Sequence, residues 1–354
     1  MAMQGYTAVP PRIGKLKGEI FKHAIPLELL QKGGRQIKFA KNNSDTYVAR
    51  RWLPYGATAT TVSTQNQFFQ NANGDRTNAM VQANQIAEGV TPSPDSLSAV
   101  DTTVVIIQYG ILYGFTDKTY NLYEDDVAEE MGRQIGERMS LINEQICYGG
   151  LKQCTNQYYA VGTTIATVAG RITLNLVRQV TMGLQANHAG MVNTVLKASP
   201  LFGTDAVAAG YCVYGHTDLE PDLRDMPGFT PAERYASGTP MPNEMGKTER
   251  FRYLTSPDLP SIQNAGAAVG STGLYSTSGS NIDVYQVVIC GRDAWSQLAV
   301  RGLDAMKPVL FLPGETSKAD PLGQRGYYGV QWWKAILLEN AGWMAILNVG
   351  RTAL

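Results

Sequence analysis

The sequence has little charge, few histidines and no long hydrophobic run. Charged residues make up 17% of the 354 residues, and 30 basic residues balance 30 acidic ones, so the net charge is zero. Such a chain has no overall charge that marks it as a nucleic-acid or membrane binder, and little repulsion to keep it from associating. It lacks the run of about eighteen apolar residues that a membrane-spanning helix needs, and its first residues lack the apolar core of a signal peptide. We therefore expect a globular protein whose surface lies largely against other surfaces.

The cysteines exclude two further classes of protein. There are four, they are scattered, and no two form a Cys-x-x-Cys pair, which argues against a zinc ribbon and against a disulfide framework. We expect four free thiols, buried as small hydrophobic side chains, in a chain made in a reducing cytosol. They are Cys147, Cys154, Cys212 and Cys290.

Signatures of enzymes are equally scarce. The three histidines belong to no HExxH motif, and neither GxSxG nor GxxxxGKS/T occurs. The densest group of potential metal ligands runs from His216 to Asp222 and contains three acidic residues. A metal or catalytic site is one interpretation. The local pattern favours another, in which Thr217 or Asp218 caps a helix that carries acids in its first turn.

Positive charge is concentrated at the N-terminus. Residues 1–52 contain ten basic and three acidic residues, a net charge of +7, so the rest of the chain carries −7. Recurrent glycine and proline predict a mostly extended arm. This arm should dock on a neighbouring copy or touch nucleic acid, and the neighbour is favoured because no aromatic residues are interleaved with the basic ones. The central basic residues are Arg12, Lys15, Lys17 and Lys22.

A long amphipathic helix is the clearest predicted element. We expect it to run from Tyr120 to Cys147, with acidic residues in its first turns and Gly149-Gly150 as its end. Its apolar residues form one stripe that does not sustain heptads, which favours packing across a sheet over a coiled coil. The stripe consists of Val127, Met131, Ile135, Met139, Ile142 and Ile146.

The segments around this helix are predicted to be β-rich before it and mixed after it. Before it, strands are expected near 35–40 and 46–52 and as one long strand at 102–113, and together they suggest an extended β arm that lies on another subunit. After it, we expect a helix capped by Thr173, strands at 211–214, 251–254 and 284–290, and helices at 220–225 and 293–300. Strands at 309–312, 329–333 and 344–349 complete the prediction.

This order of elements and several local strings resemble a known family. The most specific string is Asp320-Pro321-Leu322-Gly323-Gln324-Arg325-Gly326, with Trp332-Trp333 after it. Weaker matches are Glu88–Pro92, Gln108–Gly110, Asp218–Arg224 and Ile346–Asn348. The chain resembles the major capsid proteins of tailed phages with the Hong Kong 97-type fold, and more closely the coat-protein family typified by coliphage N-four. Thr217 stands where similar proteins usually have proline, a minor departure.

The resemblance implies an α+β fold in five segments. These are an N-terminal arm (1–35), an extended β-loop region (36–115), the spine helix and peripheral domain (116–159), an α/β axial domain (160–305), and C-terminal strands that return to the peripheral domain (306–354).

The resemblance also implies a structural protein with no catalytic residue, cofactor or metal. Its copies would form the hexamers and pentamers of an icosahedral virion shell around double-stranded DNA, assembled in the host bacterial cytoplasm. The implied partners are other copies and non-specifically contacted DNA, with cement, scaffolding and portal proteins as candidates and no membrane. An encapsulin-like compartment is the alternative of the same fold. A β-rich carbohydrate enzyme would need paired acids that the sequence does not reveal.

The string Asp320–Gly326 predicts a structural turn between the last strands. Pro321 and two glycines suit a fixed path with at least one positive φ, and Asp320 is suited to accept hydrogen bonds from the turn. We expect Arg325 to pair with an acid inside the subunit or across an interface. A phosphate-binding loop is less favoured, because neither a lysine nor a helix start follows.

Overall fold

The computed structural model describes residues 25–40, 44–53, 85–86, 88–91, 97, 99–123, 126–196, 204–235, 240–241, 243–270, 272–300, 308–316 and 320–354. The basic residues Arg12, Lys15, Lys17 and Lys22 lie outside them. The described helices are α1 (Asp117–Leu122), α2 (Val127–Leu151), α3 (Leu174–Ala186) and α4 (Glu220–Arg224). The strands are β1 (Arg35–Phe39), β2 (Thr46–Trp52), β3 (Ala99–Val105), β4 (Ile107–Thr116), β5 (Gln157–Tyr159), β6 (Val192–Leu196), β7 (Thr204–His216), β8 (Thr230–Pro231), β9 (Glu244–Thr248), β10 (Phe251–Ser256), β11 (Tyr285–Cys290), β12 (Trp295–Val300), β13 (Val309–Phe311), β14 (Arg325–Leu338) and β15 (Met344–Val349).

The strands form three sheets. An eight-stranded sheet has the order β5-β15-β11-β7-β10-β9-β8, with β6 paired to β7. A five-stranded sheet has the order β1-β12-β14-β13, and its fifth strand, β4, pairs with residues 325–334 of the long strand β14. The strands β2 and β3 form a separate two-stranded ribbon.

The eight-stranded sheet is apolar on both faces. On one face Val213 and Ile289 join a core with Val180 of α3. On the other face Cys212 and Cys290 pack with the C-terminal turns of α2. Neighbouring residues of a strand point to opposite faces, so strands with apolar residues at successive positions are those that helices cover on both sides.

Helix α2 is the predicted long helix, but its bounds differ from the prediction. Tyr120 belongs to the separate helix α1, and α2 begins after Asp126, whose side chain accepts a hydrogen bond from the Glu129 amide. Its end was also predicted wrongly, because the helix continues through Gly149-Gly150 to Leu151. Gly150 is needed for close packing rather than termination, since a Cβ there would come within 2.8 Å of Ile336.

The prediction of a helix at 293–300 is wrong, because this segment contains β12. The strand lies between β1 and β14, and its first four residues, from Trp295 to Leu298, are all buried. A strand buried on both faces has no polar–apolar alternation, so its pattern is easily mistaken for that of a helix.

The long strand predicted at 102–113 is two strands with different partners. Strand β3 pairs with β2, whereas β4 pairs with β14, and the buried Ile106 between them donates its amide to the Asp45 carbonyl at 2.9 Å. The division of the strands between the sheets does not follow the predicted chain segments. Strand β12, from the 160–305 segment, belongs to the five-stranded sheet, and β15, from the 306–354 segment, belongs to the eight-stranded one. In the described part of the chain, no helix is long and apolar enough to cross a membrane.

Candidate functional site: anchors and assembly surfaces

A buried carboxylate on α2 anchors the first described residues. One oxygen of Glu144 accepts hydrogen bonds from the amides of Leu29 at 3.1 Å and Leu30 at 2.7 Å. The other accepts from the Gln31 amide at 3.3 Å. Only 1% of Glu144 is exposed, so these amides supply the hydrogen bonds that water would otherwise donate to the carboxylate. The carboxylate therefore fixes the last part of the predicted N-terminal arm, after its central basic residues.

Burial and hydrogen bonding act in opposite directions on Glu144. Burial raises the pKa of its carboxyl group, while the three amides and the charge of Lys334 act to lower it, and burial is the larger effect. Lys334 is itself buried on β14. The carboxylate is thus held between the backbone of the N-terminal segment and a buried cation on the sheet.

Two further side chains hold the same segment. The Gln297 amide group on β12 donates to the carbonyl oxygens of Gln31 at 3.0 Å and Gly33 at 2.9 Å. The Ser140 hydroxyl on α2 donates to Glu28 at 2.6 Å. Helix, sheet and N-terminal segment are therefore tied together. The sequence did not reveal this anchor, because Glu144 lies off the predicted stripe and Gln297 was assigned to a helix.

The predicted apolar stripe of α2 faces the five-stranded sheet. Ile135 and Met139 pack with Val330 and Trp332 of β14 in one buried cluster. Met131 is buried as well, whereas Val127, Ile142 and Ile146 are half-buried. A second face of the helix, formed by Cys147, Tyr148 and Leu151, packs against the eight-stranded sheet. The helix thus connects the two large sheets.

Buried polar side chains complete this connection. The Trp332 indole donates to the Asn143 side chain at 2.9 Å and stacks on Tyr109 with a centroid separation of 5.9 Å. In the eight-stranded sheet, Gln286 donates to Asn348 at 3.0 Å, and Asn348 donates to Gln157 at 2.8 Å. A buried amide is costly unless it is paired, so these residues fix the register of the strands they join.

The Asp320–Gly326 string forms the predicted connection from β13 to β14, and its last two residues are the first two of β14. A carboxylate oxygen of Asp320 accepts a hydrogen bond from the Arg325 amide at 2.7 Å, and Gly323 has a positive φ of 61°. The turn is docked on the body of the protein, because the Gln324 carbonyl accepts from the Asp117 amide at 2.8 Å. A Cβ at Gly326 would come within 2.5 Å of the Phe115 ring. Pro321, Leu322 and Gln324 are exposed.

Two kinds of partner were predicted for the Arg325 side chain, an acid inside the subunit or one across an interface, and the described residues supply no partner of the first kind. The residue is exposed, and no ion pair joins its guanidinium to another of the described residues. Its backbone contributes to the turn instead. A partner across an interface stays a prediction.

An uncovered apolar strip precedes this turn. Its four residues are Val309, Leu310, Phe311 and Leu312, with exposed fractions between 41% and 53%. Alternate side chains point to opposite faces, so both faces of this strand are uncovered. Among the described strands, β13 pairs with β14 alone, and its other edge is free. Exposed apolar edge strands promote association, and natural proteins normally cover them.

A second apolar surface lies on the β2–β3 ribbon. Val48, Trp52 and Val105 are each more than half exposed and lie on the outer face of the ribbon. Between them, Arg50 and Asp101 form a two-pronged ion pair with both N–O distances at 2.8 Å, and the Arg50 guanidinium lowers the pKa of Asp101. The inner face, which includes Tyr47 and Ala49, packs on the five-stranded sheet.

The His216–Asp222 group serves a structural role. The sequence predicts Thr217 or Asp218 as a helix cap, but the capping side chain is His216. It caps the short 3-10 helix Thr217–Leu219, which leads into α4, and its Nδ1 atom accepts a hydrogen bond from the Asp218 amide at 3.0 Å. Each acid has its own partner, and none points toward a shared centre. The hydrogen-bond donors to Asp218, Glu220 and Asp222 are, in that order, Tyr285, Thr255 and Thr352. Within the described ranges, no group of three or more potential ligands is arranged to hold a metal ion.

Comparisons with known proteins assign the family. A family model described as "Phage capsid protein" matches residues 99–325, which is more than half of the chain. The chain belongs to the phage capsid protein family. The matched region contains α2, seven strands of the eight-stranded sheet, three strands of the five-stranded sheet and the turn up to Arg325. The resemblance seen in the sequence is thereby confirmed.

Relatives and solved structures of phage capsids agree with this assignment. The major capsid protein of Pseudomonas phage KPP21 is 20% identical over 261 residues, which cover 68% of this chain and 65% of that protein. The chain thus spans slightly less than two thirds of the length of this curated relative.

Among solved structures, the capsid of Ralstonia phage GP4 gives a TM-score of 0.63 at 13% identity and covers 97% of this chain and 96% of that chain. The capsid of Cyanophage P-SCSP1u gives 0.56 at 12% identity, covering 96% and 93%. The predicted Hong Kong 97-type fold is confirmed.

Proposed function

We propose that the chain is a phage major capsid protein whose copies form the hexamers and pentamers of an icosahedral shell around double-stranded DNA. The observation that carries this proposal is the uncovered apolar strip Val309–Leu312. Its exposed area is roughly 350 Å², comparable to the largest patch on a typical monomeric protein and often a sign of a contact surface. Family membership supports a role in a shell rather than in catalysis.

The outer face of the β2–β3 ribbon supplies a second, different apolar surface. Contact between two unlike surfaces of the same chain produces rings or extended lattices rather than a closed pair. Hexamers and pentamers are such rings. We propose that the ribbon lies over an adjacent subunit and that its Arg50–Asp101 pair sets its position there.

The chain segments receive roles in the same proposal. Residues 1–35 form an N-terminal arm, 36–115 the β-loop region, 116–159 the spine and peripheral part, 160–305 the axial domain, and 306–354 the closing strands. The anchor at Glu144 supports a fixed starting point for the arm, whose residues Arg12, Lys15, Lys17 and Lys22 would contact neighbouring copies or packaged DNA.

The remaining parts of the proposal concern partners and place. Copies assemble in the host bacterial cytoplasm and end in the virion, with cement, scaffolding and portal proteins as further partners and no catalytic role. Four buried free cysteines are in keeping with folding in a reducing compartment. An encapsulin-like compartment would share the fold, but the family match and the similarity to the capsids of Ralstonia phage GP4 and Cyanophage P-SCSP1u favour the phage shell.

Charge placed on the strip tests the proposal. Phe311→Glu should leave a folded subunit but strongly reduce the yield of shells, because each interface would bury an unpaired carboxylate. Met182→Glu is the matched control, since Met182 is 71% exposed and stands among polar residues on α3. Yield is measured by sedimentation and electron microscopy. Shells formed by Phe311→Glu at the wild-type yield would refute the role of the strip.

A further inference from the structure

Two of the four cysteines face each other in the centre of the eight-stranded sheet. Strands β7 and β11 are antiparallel, and Cys290 lies directly opposite Cys212. Both side chains point to the face that α2 covers. Residues directly opposite in an antiparallel pair have Cα atoms about 4.5 or 5.5 Å apart, and disulfides span about 4.4–6.8 Å. The register therefore brings the two thiols to a distance that a disulfide can bridge.

A cleft of about 530 Å³ opens onto this pair. Cys212 and Cys290 line it together with Tyr214 and Trp295, and its rim includes Lys32–Gln36. The two cysteines are only 2% and 3% exposed, so a bulky reagent has poor access to them. The cleft therefore gives a small oxidant a route to the residues of this pair that a bulky reagent does not have.

We propose that Cys212 and Cys290 form an oxidisable dithiol that closes into a disulfide when the protein meets a hydroperoxide. One thiolate attacks an oxygen of the peroxide, which breaks the O–O bond, gives a sulfenic acid and releases hydroxide. The second thiol displaces the sulfenic oxygen as water, and the S–S bond forms. In balance, two thiols and one hydrogen peroxide give one disulfide and two waters.

The surroundings of the pair determine how fast it reacts. Burial raises the pKa of Cys212 to about 12 and raises the pKa of Cys290 as well. The titratable and charged groups that face them are Tyr214 on β7, Glu244 on β9, Arg252 on β10 and Cys154 after α2. The cleft rim adds Lys32, Arg35, Arg292 and Asp293. Because the thiolate is the attacking form, the rate should rise about tenfold per pH unit over the range in which the sheet stays folded.

Formation of the disulfide would stabilise the sheet against unfolding. The bond would join two adjacent central strands and close a loop over the 77 residues from 213 to 289. A crosslink over so long a loop restricts the unfolded chain, and we expect the unfolding temperature to rise by about 5 °C. The inference depends on the strand register and the cleft, and it does not depend on shell formation.

The test uses the full chain treated with hydrogen peroxide, analysed by intact mass, thiol counting and peptide mapping. We expect the free thiols to fall from four to two, the mass to fall by two hydrogen atoms, and a peptide linking Cys212 to Cys290. Dithiothreitol should reverse all three. Cys212→Ser and Cys290→Ser should each abolish the linkage, whereas the control Cys147→Ser should retain it.

If a serine variant fails to fold, peptide mapping of the peroxide-treated wild-type chain still decides the test. Four free thiols after treatment, oxidised cysteines without a crosslink, or a linkage of Cys290 to Cys154 would each overturn the proposal. The last outcome is a real competitor, because Cys154 is close enough to Cys290 to influence its pKa.

Discussion

Replacing Glu144 with alanine removes the acceptor for three backbone amides at once. Leu29 and Leu30 are 2% and 0% exposed, so water cannot take the place of the carboxylate there. A buried donor left without a partner costs about 1–3 kcal/mol, which gives about 2–6 kcal/mol for these two amides. The Gln31 amide is only partly buried and can find water.

Two effects reduce this cost. The buried carboxylate itself is no longer withheld from water, a gain in keeping with its raised pKa, and alanine favours the helix by a few tenths of a kcal/mol. Lys334 works in the other direction, because it loses a nearby opposite charge. We expect a net loss of about 3 kcal/mol in the free energy of unfolding, a large share of the stability of a typical domain.

Urea denaturation of the unassembled subunit measures this loss. Gln145→Ala is the matched control, because Gln145 is the next residue of α2 and is exposed. Hydrogen exchange gives a second, local measurement, in which the amides of Leu29 and Leu30 should lose protection in Glu144→Ala alone. A loss below about 1 kcal/mol with protection retained would show that the carboxylate does not anchor this segment.

Four further predictions test other parts of the account. Ile135→Asp should bury an unpaired charge on α2 and destabilise the subunit by several kcal/mol, and soluble, shell-forming variant protein would disprove the packing of this face. Arg325→Ala should impair capsomer formation, and Arg325→Lys should restore only part of it, because an ammonium group cannot reproduce a two-pronged contact. If sedimentation gave the same capsomer yield for both variants and the wild type, the predicted interface pair would be disproved. Deletion of residues 1–25 should leave a folded subunit that assembles poorly, and unchanged yield and salt sensitivity would contradict a role for the arm. The raised pKa of Glu144 means that the folded subunit holds this proton more tightly than the unfolded chain does. The pH-dependent part of its contribution to stability is therefore full below about pH 4.5 and is lost as the pH rises through the folded-state value, so the unfolding free energy of wild type relative to Glu144→Gln should decline over that range in urea titrations, and a constant difference would contradict it.

Elements with a strong local pattern could be predicted from the sequence. The one-sided spacing around Ile135 predicts both α2 and its packing on a sheet, and Thr173 caps α3 as expected, accepting from the Leu176 amide at 3.4 Å. The turn at Asp320–Gly326 is another example, because proline and glycine restrict the backbone locally. In each case the information lies within a few neighbouring residues.

Features that depend on distant partners could not be predicted. Strand β12 has no alternation because both of its faces are covered by distant parts of the chain. Trp295 packs with the C-terminal turns of α2 on one face, and Leu298 packs with Ile106 and the β2–β3 ribbon on the other. The anchor at Glu144 joins residues more than a hundred positions apart, and a glutamate in a helix otherwise indicates an exposed face. The role of Gly150 likewise depends on a distant residue, because a Cβ there would come within 2.8 Å of Ile336.

Cryo-electron microscopy of the purified assembly tests the central claim most directly. The account predicts closed icosahedral particles built from hexamers and pentamers, filled with double-stranded DNA when taken from phage, in which a neighbouring copy covers the strip Val309–Leu312 and the ribbon face around Trp52. Particles that enclose cargo protein and no DNA would favour the encapsulin-like alternative. A protein that stays monomeric at all concentrations, with the strip open to solvent, would contradict the account.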